Sequence, residues 1–388
     1  MKKIGILTEY FESMNYGGVL QSYALCHILS EMGFCAEQVQ YFKSEEAEKS
    51  KDGRNSSKSW YSVFNPIQIR RRIIRQKLNT NLHRKQDKRR SSFKDFREGI
   101  IPHSNIVYDD NTLGLANDKY DAFVVGSDQV WNPNYWHPGY MLSFVNGDKL
   151  KIAYGVSLGV DSLTAEQVEL FKTSIFGFKG ISVREENSIN LLQDILKSKI
   201  ELVLDPVFLL TKEQWKIVSS ERSIPEKYIF TYFLGDSRRN RRIAEEYAHY
   251  YGFKIVALPH VNGYYRAVDE NFGDYQIFDA SPQDFIALIK NAEVIFTDSF
   301  HAVAFSGIFE KEFFAFQRNE TGEMSARMVQ ITSLFDARKH FCANSDECGL
   351  EYIKNLEKID YDNHREELKS LKIVSADFLY NNLVGLRG

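Results

Sequence analysis

Four short apolar runs in this sequence end on residues that can do chemistry. NAEVIF leads to Thr297, Asp298, Ser299 and His301, and GISV leads to Arg184. YDAFVV leads to a polar stretch holding Asp128, Gln129 and Trp131, and KIGIL leads toward Asn15, Gly17 and Gly18. A histidine carries protons near neutral pH. An arginine grips phosphate or carboxylate through two parallel N–H bonds. Aspartate and glutamine hold hydroxyls, a tryptophan ring stacks on a sugar, and paired glycines opening a helix let its N–H groups approach an anion. The set therefore points to a small anion, a sugar and a proton moved between them. Each residue also has a plainer reading. Trp131 could plug a core, Arg184 could pair with Glu185 or Glu186, Gly17 and Gly18 could serve a tight turn and close packing, and a lone histidine is often structural. Both readings stay open at this level.

The elements that must position these residues alternate between strand and helix along the chain. KIGILTE, a helix from Gly17 to Gly33 and CAEQVQYF form a βαβ unit, the signature of a parallel sheet. The alternation runs through YDAFVVGSD, KIAYGVSLG, GISVRE and IELVLDP, where Pro206 stops it, and resumes at YIFTYFLG. Thr164 with Gln167 reads as a capping box, and Ser281 with Pro282 as a helix start. Thr297 to Ser299 read as capping residues for HAVAFSGIF. The expected architecture is α/β: a Rossmann-like domain over 1–206 and a second over 207–388, facing across a cleft, with the C-terminal helix packing back on the first. Carboxyl ends of parallel strands share one sheet edge, so residues far apart in sequence converge there. Arg184 and His301 fall in different halves and are expected to meet over one small anion.

Two stretches lie outside this alternation. Residues 44–60 are polar and read as a mobile loop. The basic segment at about 60–98, including IQIRRRIIRQKLNTNLHRKQDKRR, reads as a helical insertion, a solvated hairpin with its arginines outside. Its functional alternative is an electropositive surface for an anionic substrate or a lipid headgroup, at most a peripheral membrane contact.

Composition excludes several classes. A net charge of -3 gives no nucleic-acid signature, and no apolar run reaches the roughly 20 residues of a membrane span. The N-terminal apolar run is too short for a signal peptide, so a cytoplasmic location is expected. Cys26, Cys35, Cys342 and Cys348 lack C-x-x-C spacing and are expected to be reduced and structural. His340 beside Cys342 and Cys348 suggests a metal only faintly, and no metal site is expected. There is no G-x-G-x-x-G after the first strand and no Walker loop. Asp360-Tyr-Asp362 is expected to cap a helix, and Glu312 with Glu320 forms an E-x7-E in the wrong context, since Glu312 enters a strand.

Taken in order, NYGGVLQSYAL, YDAFVVGSDQVWN, AYGVSLG, SVREENS, VLDPVFLL, TDSFHAVAFSGIFEKEFFAF and MSARM resemble the polysaccharide pyruvyl transferase family, from about residue 10 to about residue 335. The resemblance implies a GT-B-like fold. It also implies transfer of the pyruvyl group of phosphoenolpyruvate to two hydroxyls of a sugar in a surface polysaccharide or its lipid-linked precursor, giving a cyclic ketal and phosphate. By motif, His301 corresponds to the family's general acid and Arg184 to an arginine that grips the donor. Arg318 is the first choice, and Arg327 the second, for a further basic donor contact. Ser299, Gly17 and Gly18 are expected at the donor, and Asp128, Gln129, Trp131 and Asn15 at the acceptor, with no cofactor. Two other readings remain: a GT-B glycosyltransferase using a nucleotide sugar, and a non-catalytic glycan-binding protein.

Overall fold

The computed structural model describes residues 1–43, 66–196, 199–260, 266–318, 325–344 and 347–387. The loop expected at 44–60 and Glu320 lie outside them.

Two parallel sheets carry the chain. The first orders its seven strands β3-β2-β1-β4-β5-β6-β7, with β1 Lys3–Leu7, β2 Cys35–Tyr41, β3 His103–Tyr108, β4 Ala122–Val125, β5 Leu150–Val156, β6 Phe178–Val183 and β7 Ile200–Leu202. The second orders six strands β10-β9-β8-β11-β12-β13, with β8 Tyr228–Tyr232, β9 Lys254–Ala257, β10 Tyr275–Gln276, β11 Val294–Thr297, β12 Glu312–Phe316 and β13 Phe341–Cys342. The inner strands AFVV and VIFT are buried at every position, as strands covered on both faces must be. Around the first sheet lie α1 Tyr16–Glu31, α2 Pro66–Ile100, α3 Ala165–Ser174 and α4 Glu186–Gln193. Then follow α5 Lys212–Val218, α6 Arg238–Tyr251, α7 Pro282–Asn291, α8 Phe300–Ile308, α9 Ser325–Ser333, α10 Leu350–Lys354 and α11 Arg365–Leu383. The capping boxes at Thr164/Gln167 and at Ser281 are both formed, the latter closed by Asp284. Two Rossmann-like sheets of this kind make a GT-B-like fold.

The lobes meet through buried surface. Helix α1 is buried on almost every side because its outer face lies on α7 and α8. Tyr16 stacks on Phe285 at 4.7 Å and donates its hydroxyl to the Ala280 carbonyl at 2.8 Å. The basic segment is one continuous helix, α2, and not a hairpin, and two of its arginines point inward. Gln86, Arg89, Phe93, Phe96 and Arg97 recur at helical spacing on its buried face. Arg89 donates to the carbonyls of Pro259, Ile277 and Phe278 in the second lobe at 2.9–3.0 Å. Arg97 donates to the Ser13 carbonyl at 2.8 Å. Helix α11 lies against the first sheet, where Ser375 Oγ accepts from the Leu204 amide at 2.9 Å and Phe378 meets Tyr154. No helix among the described residues is long and apolar enough to cross a membrane.

Candidate active site

The carboxyl edges of the two sheets face each other, and one carboxylate oxygen joins them. Asp205 follows β7 and caps the short turn at Pro206 by accepting from the Val207 amide at 3.1 Å. Its Oδ2 accepts from Arg184 Nη1 at 2.5 Å and lies 3.5 Å from His301 Nε2. The second distance is an ion-pair approach and longer than a hydrogen bond, and Nε2 has no hydrogen-bond partner. Histidine and arginine thus meet across the lobes over an anion, and in this structure that anion is a side chain of the chain itself.

Arg184 is more fully used than a clamp awaiting a ligand would be. Besides Asp205 it donates from Nη2 to Asp128 Oδ1 at 2.9 Å and from Nε to Glu185 Oε1 at 3.3 Å. Its guanidinium lies 4.7 Å from the centre of the Phe300 ring, and its side chain is 1% exposed. Burial alone would drive Asp128 and Asp205 toward the neutral form. Arg184 and then His301 hold Asp128 below the usual carboxylate range. His301 and then Arg184 hold Asp205 well below it. Arg327, from α9, lies beside this group with Nη1 3.9 Å from Glu185 Oε1 and with Nε buried and unbonded. Burial, only partly offset by Glu185, pushes its pKa down to about 10, so it stays charged at neutral pH.

The other residues singled out by sequence fall on both sides of the line. Asp128 joins the cluster from a left-handed backbone conformation, φ 66°. Gln129 lies against Gly159, whose bare backbone admits its amide group. Trp131 corrects the sequence expectation. It is fully buried, donates Nε1 to the Tyr140 carbonyl at 3.1 Å and packs on Phe178, so it has no free face for a sugar. Asn15 is exposed and caps α1 by accepting from the Gly17 amide at 3.1 Å. The Thr297–Ser299 cluster does not cap α8. Thr297 donates to the Tyr232 carbonyl at 2.6 Å, Asp298 accepts from the amides of Leu234 and Gly235, and Ser299 makes no side-chain cap bond. These bonds tie the loop after β8 to β11. His340, weighed as a metal ligand, instead pairs with Glu312 at 2.8 Å.

Gly17 touches His301 directly. A Cβ built on Gly17 would lie 1.9 Å from His301 Nδ1, whereas one on Gly18 would meet nothing nearer than 3.5 Å. Alanine is favoured over glycine in a helix by roughly 1 kcal/mol, so Gly18→Ala is expected to be neutral or stabilising. Gly17→Ala is expected to do the reverse, lowering stability by about 1–3 kcal/mol through overpacking and displacing the imidazole. Denaturant unfolding of the two variants checks this.

Sequence reasoning missed several partners. Asp205 enters the sequence reading only within IELVLDP and the VLDPVFLL motif, with no role of its own, because its position depends on the turn that follows β7. His260 and Arg266 follow β9 on the same edge as Arg318, which follows β12 and donates to the Asp298 carbonyl at 3.1 Å. Arg266 lies 2.9 Å from Asp236. Burial, then Arg266, Arg89 and Arg318, push His260 down to about 4, against the opposing charge of Asp236.

Acid should expose the Asp205 contacts. Its pKa is lower folded than unfolded, so its stabilisation is complete above the unfolded value, about 4, and is lost as pH falls below it. The melting temperature of the natural protein is expected to drop more steeply between about pH 5 and 3 than that of Asp205→Asn, which cannot take up the proton. Parallel slopes would show that these contacts add nothing to stability.

A family model described as polysaccharide pyruvyl transferase matches residues 15–320. No curated protein matches the chain. Among solved structures, the UDP-GlcNAc 2-epimerase of Neisseria meningitidis, bound to UDP-GlcNAc, is 12% identical over 99% of this chain and 100% of its own, with a TM-score of 0.48. That of Methanocaldococcus jannaschii is 12% identical over 96% and 99%, with a TM-score of 0.49. A Listeria monocytogenes protein assigned as a UDP-N-acetylglucosamine 2-epimerase is 11% identical over 87% and 89%, with a TM-score of 0.50. At such identities the likeness concerns the fold alone.

Proposed function

Because the chain belongs to the polysaccharide pyruvyl transferase family, we propose that it moves the pyruvyl group of phosphoenolpyruvate onto two hydroxyls of a sugar in a polysaccharide or its precursor. The observation that carries this reading is the meeting of His301, Arg184 and Asp205 across the two lobes. His301 gives a proton to the donor methylene as a sugar oxygen bonds to the neighbouring carbon. Phosphate leaves that carbon, and the second sugar oxygen closes the ketal. Of the two hydroxyl protons released, one restores His301 and the other leaves with phosphate.

Charge counting divides the labour among the cations. Asp128, Glu185 and Asp205 oppose Arg184 and Arg327, and a protonated His301 makes the cluster neutral. Arg184 is therefore a positioning residue that fixes the carboxylates around the imidazole. The donor's negative charge is met by Arg327, whose buried Nε has no hydrogen-bond partner, together with Arg318 and Arg266 on the facing edge. Asp128 and Asn15, on the first lobe, are left to face the acceptor.

The decisive experiment measures phosphate release from phosphoenolpyruvate against a panel of sugar acceptors, with mass detection of the ketal. Acceptor-dependent release supports the reading. Release of UDP or GDP from nucleotide sugars would instead favour a glycosyltransferase, and glycan binding without turnover would favour a binding protein.

A further inference from the structure

A second cavity of about 450 Å³ opens at the far end of α8, where α5, α8, the end of α9 and α11 come together. It lies within the roughly 300–1,000 Å³ range of small-molecule sites. The hollow lined by Arg184 and Arg327 measures about 50 Å³. His301 opens α8 and Gly307 lines the cavity, so about 9 Å of helix separates the two.

The cavity is lined by four fixed cations, Lys212, Arg365, Lys369 and Lys372, against one carboxylate, Glu310. Glu310 is already shared: Lys212 reaches it at 2.6 Å and Arg365 at 3.3 Å, and Arg365 is held more closely by Asp362 at 2.6 Å, so the cations left over are Lys369 and Lys372. Lys369 sits 3.6 Å from Glu366 with its side chain 66% exposed, a weak pairing. Lys372 is half-buried and has no hydrogen-bond or ion-pair partner among the described residues. Burial without a partner lowers its pKa, so an unliganded protein pays to keep it charged there. The negative end of the α8 dipole explains cations beside Glu310, but not an unpaired lysine in the middle of α11. The opposite wall is apolar and aromatic, with Phe335 seated on Gly307 and Tyr361 held by its hydroxyl bond to the Lys311 carbonyl.

Two lysines, Lys369 weakly paired and Lys372 unpaired, on one side and rings on the other select a doubly charged anion carried on a small apolar body. We propose that this cavity binds a phosphate monoester, with the phosphate on Lys372 and Lys369 and its ring or short hydrocarbon against Phe335 and Tyr361. Inorganic phosphate shares the chemistry without the body, and an acidic lipid headgroup shares it at a membrane.

The test is lysine acylation read by mass spectrometry on the full chain, with phenyl phosphate as the probe. At about ten times its dissociation constant, phenyl phosphate is expected to slow labelling of Lys372 about tenfold. Inorganic phosphate is expected to do so only at higher concentration, and benzoate not at all. Unchanged labelling, equal potency of inorganic phosphate, or protection by phosphatidic acid vesicles but not by phenyl phosphate would overturn the proposal. Lys372→Gln is the second arm. It is expected to melt at a higher temperature than the natural protein without ligand and to show a smaller stabilisation by phenyl phosphate. A lower melting temperature, or an undiminished stabilisation, would overturn it independently.

Discussion

His301→Gln is expected to lower turnover at least about 10²-fold while leaving phosphoenolpyruvate binding largely intact. Glutamine keeps a polar group of similar reach between Gly17 and Asp205, so the lobes stay closed around it. It cannot carry a proton. The loss should therefore appear in kcat and not in donor affinity, which single-turnover phosphate release together with calorimetric titration of the donor separates. A variant that turned over near normally would remove the imidazole from the chemistry, and one that lost donor binding in proportion would make it a binding group.

Arg184→Ala carries the largest expected cost in stability. It leaves Asp128, Glu185 and Asp205 facing one another in a buried site with only Arg327 and the His301 imidazole near them, and breaking a buried ion pair from one side typically costs about 3–5 kcal/mol. The deficit has a pH signature. With the guanidinium gone, burial and mutual repulsion raise the carboxylate pKa values in the folded state. The variant then gains stability relative to the natural protein as pH falls through those raised values. Urea unfolding at neutral and mildly acidic pH checks both the size and the sign. Arg184→Lys, a single point charge unable to reach three carboxylates, is expected to fall between.

The sheets were legible in the sequence because their inner strands are short apolar runs rich in β-branched and aromatic residues, and two helix starts were legible because their caps are local chemistry. Edges were harder. HSNIVY, at the rim of the first sheet, has three exposed residues among its six and lacks the apolar signature of a central strand. In α2 the inward stripe includes Arg89 and Arg97, residue types that read as solvated until their carbonyl partners in another part of the chain are known. His301 and Arg184 could be placed on facing edges from topology. That both would converge on Asp205 depended on a turn geometry that no local pattern encodes. Trp131 misled for the opposite reason: a large ring after a polar turn suits a sugar as well as a core, and only its neighbours decide.

The bare α-carbon of Gly17 and the ring of His301 come from halves that are 284 positions apart in sequence, yet they leave no room between them for a single methyl group. Neither half can therefore be exchanged alone. A hybrid made by joining this N-terminal lobe to the C-terminal lobe of another protein inherits whatever angle the graft imposes. A rotation of a few degrees either drives the imidazole into the first helix or leaves it adrift. The fit at that one position is a practical gauge of whether such a chimera has been joined correctly.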